Sequence, residues 1–180
     1  MSVAVGLAAG LVVGLSVPAG AAPVTGGAVV AEKCSAAVDN YSSDKWSAVT
    51  HKVCASVLKK PDGSLVVQGR WIGDMTYYWG AAWYTEKCVD KAFEQCFIGG
   101  ELRLKKAGEA GAAQTDLHPI GRKVVGTGHV EATTEWLVKA GQTYRIDLYK
   151  GRKEGGYWRK SDYESSKVTL KAVSVDVTVP

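Results

Sequence analysis

Three groups of residues in this 180-residue chain have types and spacing that bear on chemistry. They are four cysteines (Cys34, Cys54, Cys88, Cys96), three histidines (His51, His118, His129) and a run of aromatic residues from Trp71 to Tyr84. Cysteines serve as metal ligands or as disulfides. Zinc sites draw on closely spaced pairs of the CxxC kind; that spacing is absent, and the histidines are not placed to complete a ligand set. Disulfides are the expectation. Four cysteines allow three pairings, and the two local loops, Cys34–Cys54 and Cys88–Cys96, are the choice. Each closure is worth about 2–4 kcal/mol, chiefly by restricting the unfolded chain. All four cysteines fall in the first half of residues 22–180, so the second half is expected to hold by packing alone.

A hydrolase needs a positioned nucleophile beside a base. The chain carries neither GxSxG nor HExxH, and paired cysteines supply no thiolate. His51 lies among apolar residues and reads as a core histidine. His118 precedes a proline, and His129 sits in Gly-Thr-Gly-His-Val-Glu. Carboxylate pairs of the glycosidase kind are defined by spatial separation; the acidic residues here fall mostly at polar strand and turn positions. No catalytic residue, metal site or cofactor is expected.

The aromatic run has a parity. Trp71, Tyr77, Trp79 and Trp83 share one, Tyr78 and Tyr84 the other. An antiparallel sheet commonly buries one face. The Trp79/Trp83 face is therefore expected in the core, leaving Tyr78 and Tyr84 as an exposed partner-binding face, either a stacking platform for sugar rings or a protein anchor.

The elements that must position these groups begin with an export segment. Val3 to Val17 is an uncharged, largely apolar run, Pro18 breaks it, and Ala19-Gly20-Ala21 has the small-x-small pattern of a cleavage site. Residues 1–21 read as a signal peptide. The run is shorter than the roughly 20 apolar residues of a spanning helix, so no stable membrane anchoring is expected and the protein is expected outside the cell. Cleavage of 21 residues from 180 would leave 159, with the net charge unchanged at +4. The densest basic groups are Lys59-Lys60, Lys105-Lys106 and Lys150 to Lys153. None is a run of five like charges, which argues against nucleic acid as a partner.

Strand signals dominate the rest. Ser47 to Leu58 alternates, with Val49, His51, Val53, Ala55 and Val57 on one face. Lys60-Pro61-Asp62-Gly63 supplies a turn, and Ser64 to Ile72 the partner strand. Gly73-Asp74 reads as a second turn before an aromatic strand at Thr76 to Tyr84. Phe97 to Lys105 is another strand. Residues 107–121, Gly- and Ala-rich with His118-Pro119, read as a long loop. Lys123 to Val138 has strand character, Ala140-Gly141-Gln142 is a turn, and Thr143 to Lys150 alternates again. Gly151 to Lys160 reads as a polar loop. In the last strand the apolar residues switch parity, from Val168, Leu170 and Ala172 to Val173, Val175, Val177 and Val179. That switch demands a β-bulge or a sheet change at Ala172-Val173. Many short strands with regular turns predict an all-β fold, an antiparallel immunoglobulin-like β-sandwich stapled by two disulfides. It would occupy residues 34–180 as one domain, preceded by an N-terminal extension at 22–33.

Trp136 to Ile146 resembles the "apolar–AG–x–x–Tyr–strand" corner of secreted immunoglobulin-like and carbohydrate-binding sandwiches. The layout of export segment, short extension and two-disulfide β domain resembles the adaptor subunits of umbrella-shaped secreted toxin particles of actinobacteria. In that family the adaptor joins a repeat-built stalk to a lectin-like subunit. The resemblance implies a non-catalytic adaptor whose partners are other secreted proteins, with Ala28, Val29, Val30 and Ala31 in the lectin-side contact. An extended apolar segment of this kind adds to another protein's sheet edge. Two other functions fit the chain. One is a hydrolase inhibitor presenting the loop Val89 to Gln95, with Lys91 and Phe93. The other is a carbohydrate-binding module that holds glycans by Tyr and Trp stacking.

Overall fold

A computed structural model of the chain describes residues 26–85, 87–88, 96–108, 116–124, 126–155 and 166–180. The export segment and the loop 89–95 lie outside the described residues.

Among the described residues the fold is all-β, built as two antiparallel sheets and a small third pairing. The first sheet runs β1 (Ala28–Cys34), β3 (Ser47–Lys59), β4 (Leu65–Trp79) and β10 (His129–Leu137), with β2 (Val38–Tyr41) also on β3 and β5 (Ala82–Thr85) also on β4. The second runs β12 (Val168–Thr169), β11 (Thr143–Glu154), β7 (Cys96–Lys106) and β8 (Asp116–Val124), with β13 (Ser174–Thr178) also on β11. Residues Lys87–Cys88 (β6) pair with Gly126–Thr127 (β9).

Alternation sets the inner face as expected in β3, where Val49, His51, Val53, Ala55 and Val57 are buried. The turn after it forms as read: Gly63 takes φ +85 and donates its N–H to the Lys60 carbonyl at 2.9 Å. The next expectation fails. Gly73-Asp74 is not a turn, and β4 runs through it unbroken, held by β3 as far as Ser47↔Tyr77 and by β10 at His129↔Asp74. Gly73 has a packing role instead. The Trp71 indole lies over it, and a Cβ there would meet the ring at 2.7 Å. The real turn is Gly80-Ala81, with Gly80 at φ +66.

The long loop at 107–121 is also corrected. Strand β8 starts at Asp116 and includes His118 and Pro119, paired to Leu102 and Glu101. Proline is accepted there because β8 ends the sheet order and needs no donor on its outer side. Likewise, part of the expected loop at 151–160 belongs to β11, which continues to Glu154.

The parity switch near Ala172-Val173 is found. β12 and β13 both pair with β11, and the break between them faces a register shift between Tyr149 and Arg152, where Lys150 takes φ +50. Two bonds cross the break: Leu170 N–H to the Gly151 carbonyl at 2.9 Å, and Leu148 N–H to the Val173 carbonyl at 3.1 Å. The irregularity lets Val168, Leu170, Val173 and Val175 all turn inward.

Both sheets feed one hydrophobic cluster. Val49, Val53, Trp71 and Met75 from the first meet Ile98, Leu102, Ile146 and Leu148 from the second. Packing does not hold the second sheet alone. Arg103 grips Asp147 across β7 and β11 through two bonds of 2.7 and 2.9 Å, and Arg145 grips Asp176 across β11 and β13 at 2.6 and 2.8 Å. The corner before β11 closes where the Tyr144 hydroxyl accepts the Lys139 N–H at 3.1 Å.

Candidate functional site

Ala28, Val29, Val30 and Ala31 form the first half of β1, paired antiparallel to Lys59, Leu58 and Val57 of β3. The segment is thus engaged in the chain's own sheet, and what it offers outward is a sheet edge. The register shifts between Val29 and Ala31, a bulge at Val30. A bulge re-aims side chains. Here Ala31 packs on the core while Val29 and Val30 stand 51% and 43% exposed beside each other. At the far end of the strand Cys34 lies directly opposite Cys54 and is bonded to it, with the Cα atoms 3.9 Å apart. This staple fixes β1 to β3. Cys96 is buried at the start of β7; Cys88 lies in β6, its side chain outside the described atoms.

The aromatic run lies at the opposite end of the first sheet. Trp71 is in the core at 1% exposure, whereas Trp79 and Trp83 are 36% and 43% exposed. The expected core face is therefore wrong for those two, and the reason is the turn. A two-residue connection pairs Trp79 with Ala82, Tyr78 with Trp83 and Tyr77 with Tyr84. Odd positions of β4 thus face even positions of β5. Trp83 shares a face with Tyr78, and Tyr84 shares the other with Tyr77 and Trp79. Tyr78 and Tyr84, expected together, are on opposite faces of the hairpin.

Two further rings join them, Tyr41 at the end of β2 and Trp46 before β3. Tyr41 meets Trp83 at 5.8 Å between centroids, Tyr78 meets Trp83 at 5.5 Å, and Trp46 meets Tyr78 and Trp79 at 6.1 and 6.4 Å. These four pairs are inclined at 55–73°. Tyr77 and Tyr84 stack at 5.7 Å. Apart from the stacked Tyr77–Tyr84 pair, these rings tilt against one another. The sequence does not reveal Tyr41 and Trp46 as members, because their proximity depends on the register of β2 and β3.

The histidines divide as their surroundings dictate. His51 is buried, and its Nδ1 accepts the Trp71 indole N–H at 3.3 Å. Burial pushes its pKa below the usual imidazole value, with the nearby Lys171 backbone opposing the shift in part, and Nε2 is buried without a hydrogen-bond partner. His129 lies at the rim of β10, its Nδ1 2.6 Å from Asp74 and its Nε2 3.4 Å from Glu131. The hydrogen bond to Asp74, aided by Glu131, raises its pKa. Both ring nitrogens face carboxylates, an arrangement that holds a cation in place. His118 lies in β8, its side chain outside the described atoms. A cleft of about 260 Å³ opens between β8 and β10, lined by Trp71, Ile98, Ile120, Val130 and Thr133 among others. Among the described residues no group of three His, Cys, Asp or Glu side chains is placed to hold a metal ion, and no helix is long and apolar enough to cross a membrane.

No protein-family model, no curated protein and no solved structure matches the chain.

Proposed function

We propose that the protein is a secreted, non-catalytic adaptor that docks onto other secreted proteins through the outer edge of β1. The observation that carries this reading is the bulged edge strand. It presents two adjacent apolar side chains, Val29 and Val30, to solvent and is fixed at its other end by Cys34–Cys54. An edge strand is a template for another chain, and pre-organising it lowers the ordering cost of binding. A disulfide is at home in oxidising compartments, in keeping with the export segment read in the sequence. The finer form of the proposal is an immunoglobulin-like sandwich serving as a subunit of a secreted toxin particle. The Tyr144–Lys139 corner supports the immunoglobulin-like part. A second bridge, Cys88–Cys96, belongs to the same proposal: Cys88 pairs with Gly126 and Cys96 with Val124, which brings both backbones to one short stretch of chain.

The test is co-purification of the native protein from the medium of its producer, beside a V29D/V30D variant of equal thermal stability. A stoichiometric secreted partner that the variant loses supports docking at β1. A partner retained by the variant, or a protein that elutes alone, refutes it.

A further inference from the structure

We propose that the β4–β5 hairpin is a peripheral lipid-binding element that seats in the headgroup region of a bilayer. This proposal uses a different surface from the β1 edge and does not rest on the adaptor reading.

Three observations carry it. The first is composition: the eleven residues from Met75 to Thr85 contain no charged side chain, and five of them are Tyr or Trp. Tyr and Trp are the residues that settle at the boundary between headgroups and acyl chains, their rings in the apolar layer and their polar atoms in the wet one. The second is position. Along the inner face of β4, Met75 is fully buried, Tyr77 is half-buried and Trp79 is exposed. The hairpin therefore leaves the core, and every residue from Trp79 to Thr85 is exposed.

The third observation separates a lipid surface from a protein partner or a polysaccharide. Both faces of the projecting ribbon are aromatic: Tyr78 and Trp83 on one, Tyr77, Trp79 and Tyr84 on the other, with Gly80-Ala81 between them at the tip. A flat partner covers one face of a ribbon, and a sugar chain needs a level platform. A fluid interface wets both faces and the tip at once. Small residues at the tip let it enter without displacing much, and Trp46 and Tyr41 widen the aromatic belt at its base. Lys45, next to Trp46 in the chain, is exposed. The net charge of +4 favours approach to an anionic surface. The contact is reversible, since a single interfacial element anchors weakly.

The experiment is co-sedimentation of the secreted full chain with vesicles of phosphatidylcholine and phosphatidylglycerol, with tryptophan emission recorded in parallel. Wild type is expected to sediment with the vesicles and its emission to move to the blue. Each tip indole adds apolar burial, so W79A and W83A should each weaken binding by roughly tenfold. W79Y, which keeps an interfacial ring, should retain most of it. Unchanged thermal melting shows that the variants fold. No sedimentation and no blue shift in wild type would overturn the proposal. So would binding that W79A/W83A leaves intact, which would be charge attraction alone. Loss of a co-purifying protein in W79A/W83A, without vesicle binding by wild type, would reassign the hairpin to a protein groove.

Discussion

Trp71 donates its indole N–H to Nδ1 of His51 at 3.3 Å in the centre of the core. Nδ1 must then carry a lone pair, so the neutral ring keeps its proton on Nε2, which is buried without a hydrogen-bond partner. A second proton has no room on Nδ1 without breaking the Trp71 bond. The folded state holds His51 below its unfolded pKa of about 6.5. Its contribution to stability is therefore present above that value and is lost as pH falls below it toward the folded pKa. Chemical denaturation from pH 8 to pH 5 should show His51 drawing stability down on the acid side, against the opposite contribution of His129. In His51→Gln that part of the slope should vanish, and an unchanged slope would show that other groups govern it.

His129 should do the reverse. Its folded pKa is raised by Asp74 and Glu131, so it stabilises fully below about 6.5 and the contribution fades as pH rises through the folded value. Both it and Asp74 are more than half exposed, which keeps the effect within about 1 kcal/mol. His129→Gln should lower stability at pH 5.5 and leave it unchanged at pH 9, and NMR titration should find the His129 ring protonated at pH values where His51 is neutral.

The two histidines show what the sequence makes legible. The alternation through β3 is enough to place His51 inside, and the parity switch at Ala172-Val173 is enough to locate an irregularity in the strands that close the second sheet. Those are period-two signals within one strand. What stays hidden depends on partners distant in sequence. Gly73 reads as a turn unless the Trp71 ring lies over it. Pro119 reads as loop unless its strand forms an edge. Trp83 reads as core only if one parity runs through Gly80-Ala81, where the hairpin inverts it. At the candidate site, Ala28 to Ala31 are legible as an extended apolar segment. Their bulged pairing with β3, which decides that Val29 and Val30 face solvent, is not.

The Cys34–Cys54 staple should matter most to β1, since the strand is hydrogen-bonded to the sheet along one edge only. Its cysteines are 20 residues apart, and removing such a bridge costs about 2–4 kcal/mol. C34A/C54A should lose that much by urea denaturation. Hydrogen exchange should rise first in Ala28–Cys34, while the core strand β7 stays protected. A uniform rise across both sheets would mean that the staple holds the whole fold.

Asp147 and Asp176 both accept a two-bond arginine grip across strands and should differ in cost. The Asp147 side chain is 9% exposed and faces Arg103 and Lys105, whereas that of Asp176 is 36% exposed and faces Arg145. Asp147→Ala removes the carboxylate between two partly covered cations, a loss of about 1–3 kcal/mol. Asp176→Ala removes a partner that water largely replaces, at most about 1 kcal/mol. Raising salt should narrow the gap little, because Asp147 is shielded from solvent. Equal losses in the two variants would show that burial does not set the strength of these pairs.

Gly99 and Gly121 face each other across β7 and β8, with the Phe97 ring lying over both. A Cβ on Gly99 would come within 2.7 Å of two backbone atoms, the Gly121 Cα and the Ile120 carbonyl oxygen. A Cβ on Gly121 would meet mainly the Phe97 ring, at 3.1 Å. A side chain can turn aside; a paired strand cannot without losing its ladder. Gly99→Ala should therefore cost about 1–3 kcal/mol by overpacking, and Gly121→Ala clearly less. Combining Gly99→Ala with Phe97→Ala should recover little of the loss, since the clash is with backbone. Thermal melting of the three variants decides the point, and full recovery in the double variant would show that the ring, not the neighbouring strand, demands the glycine.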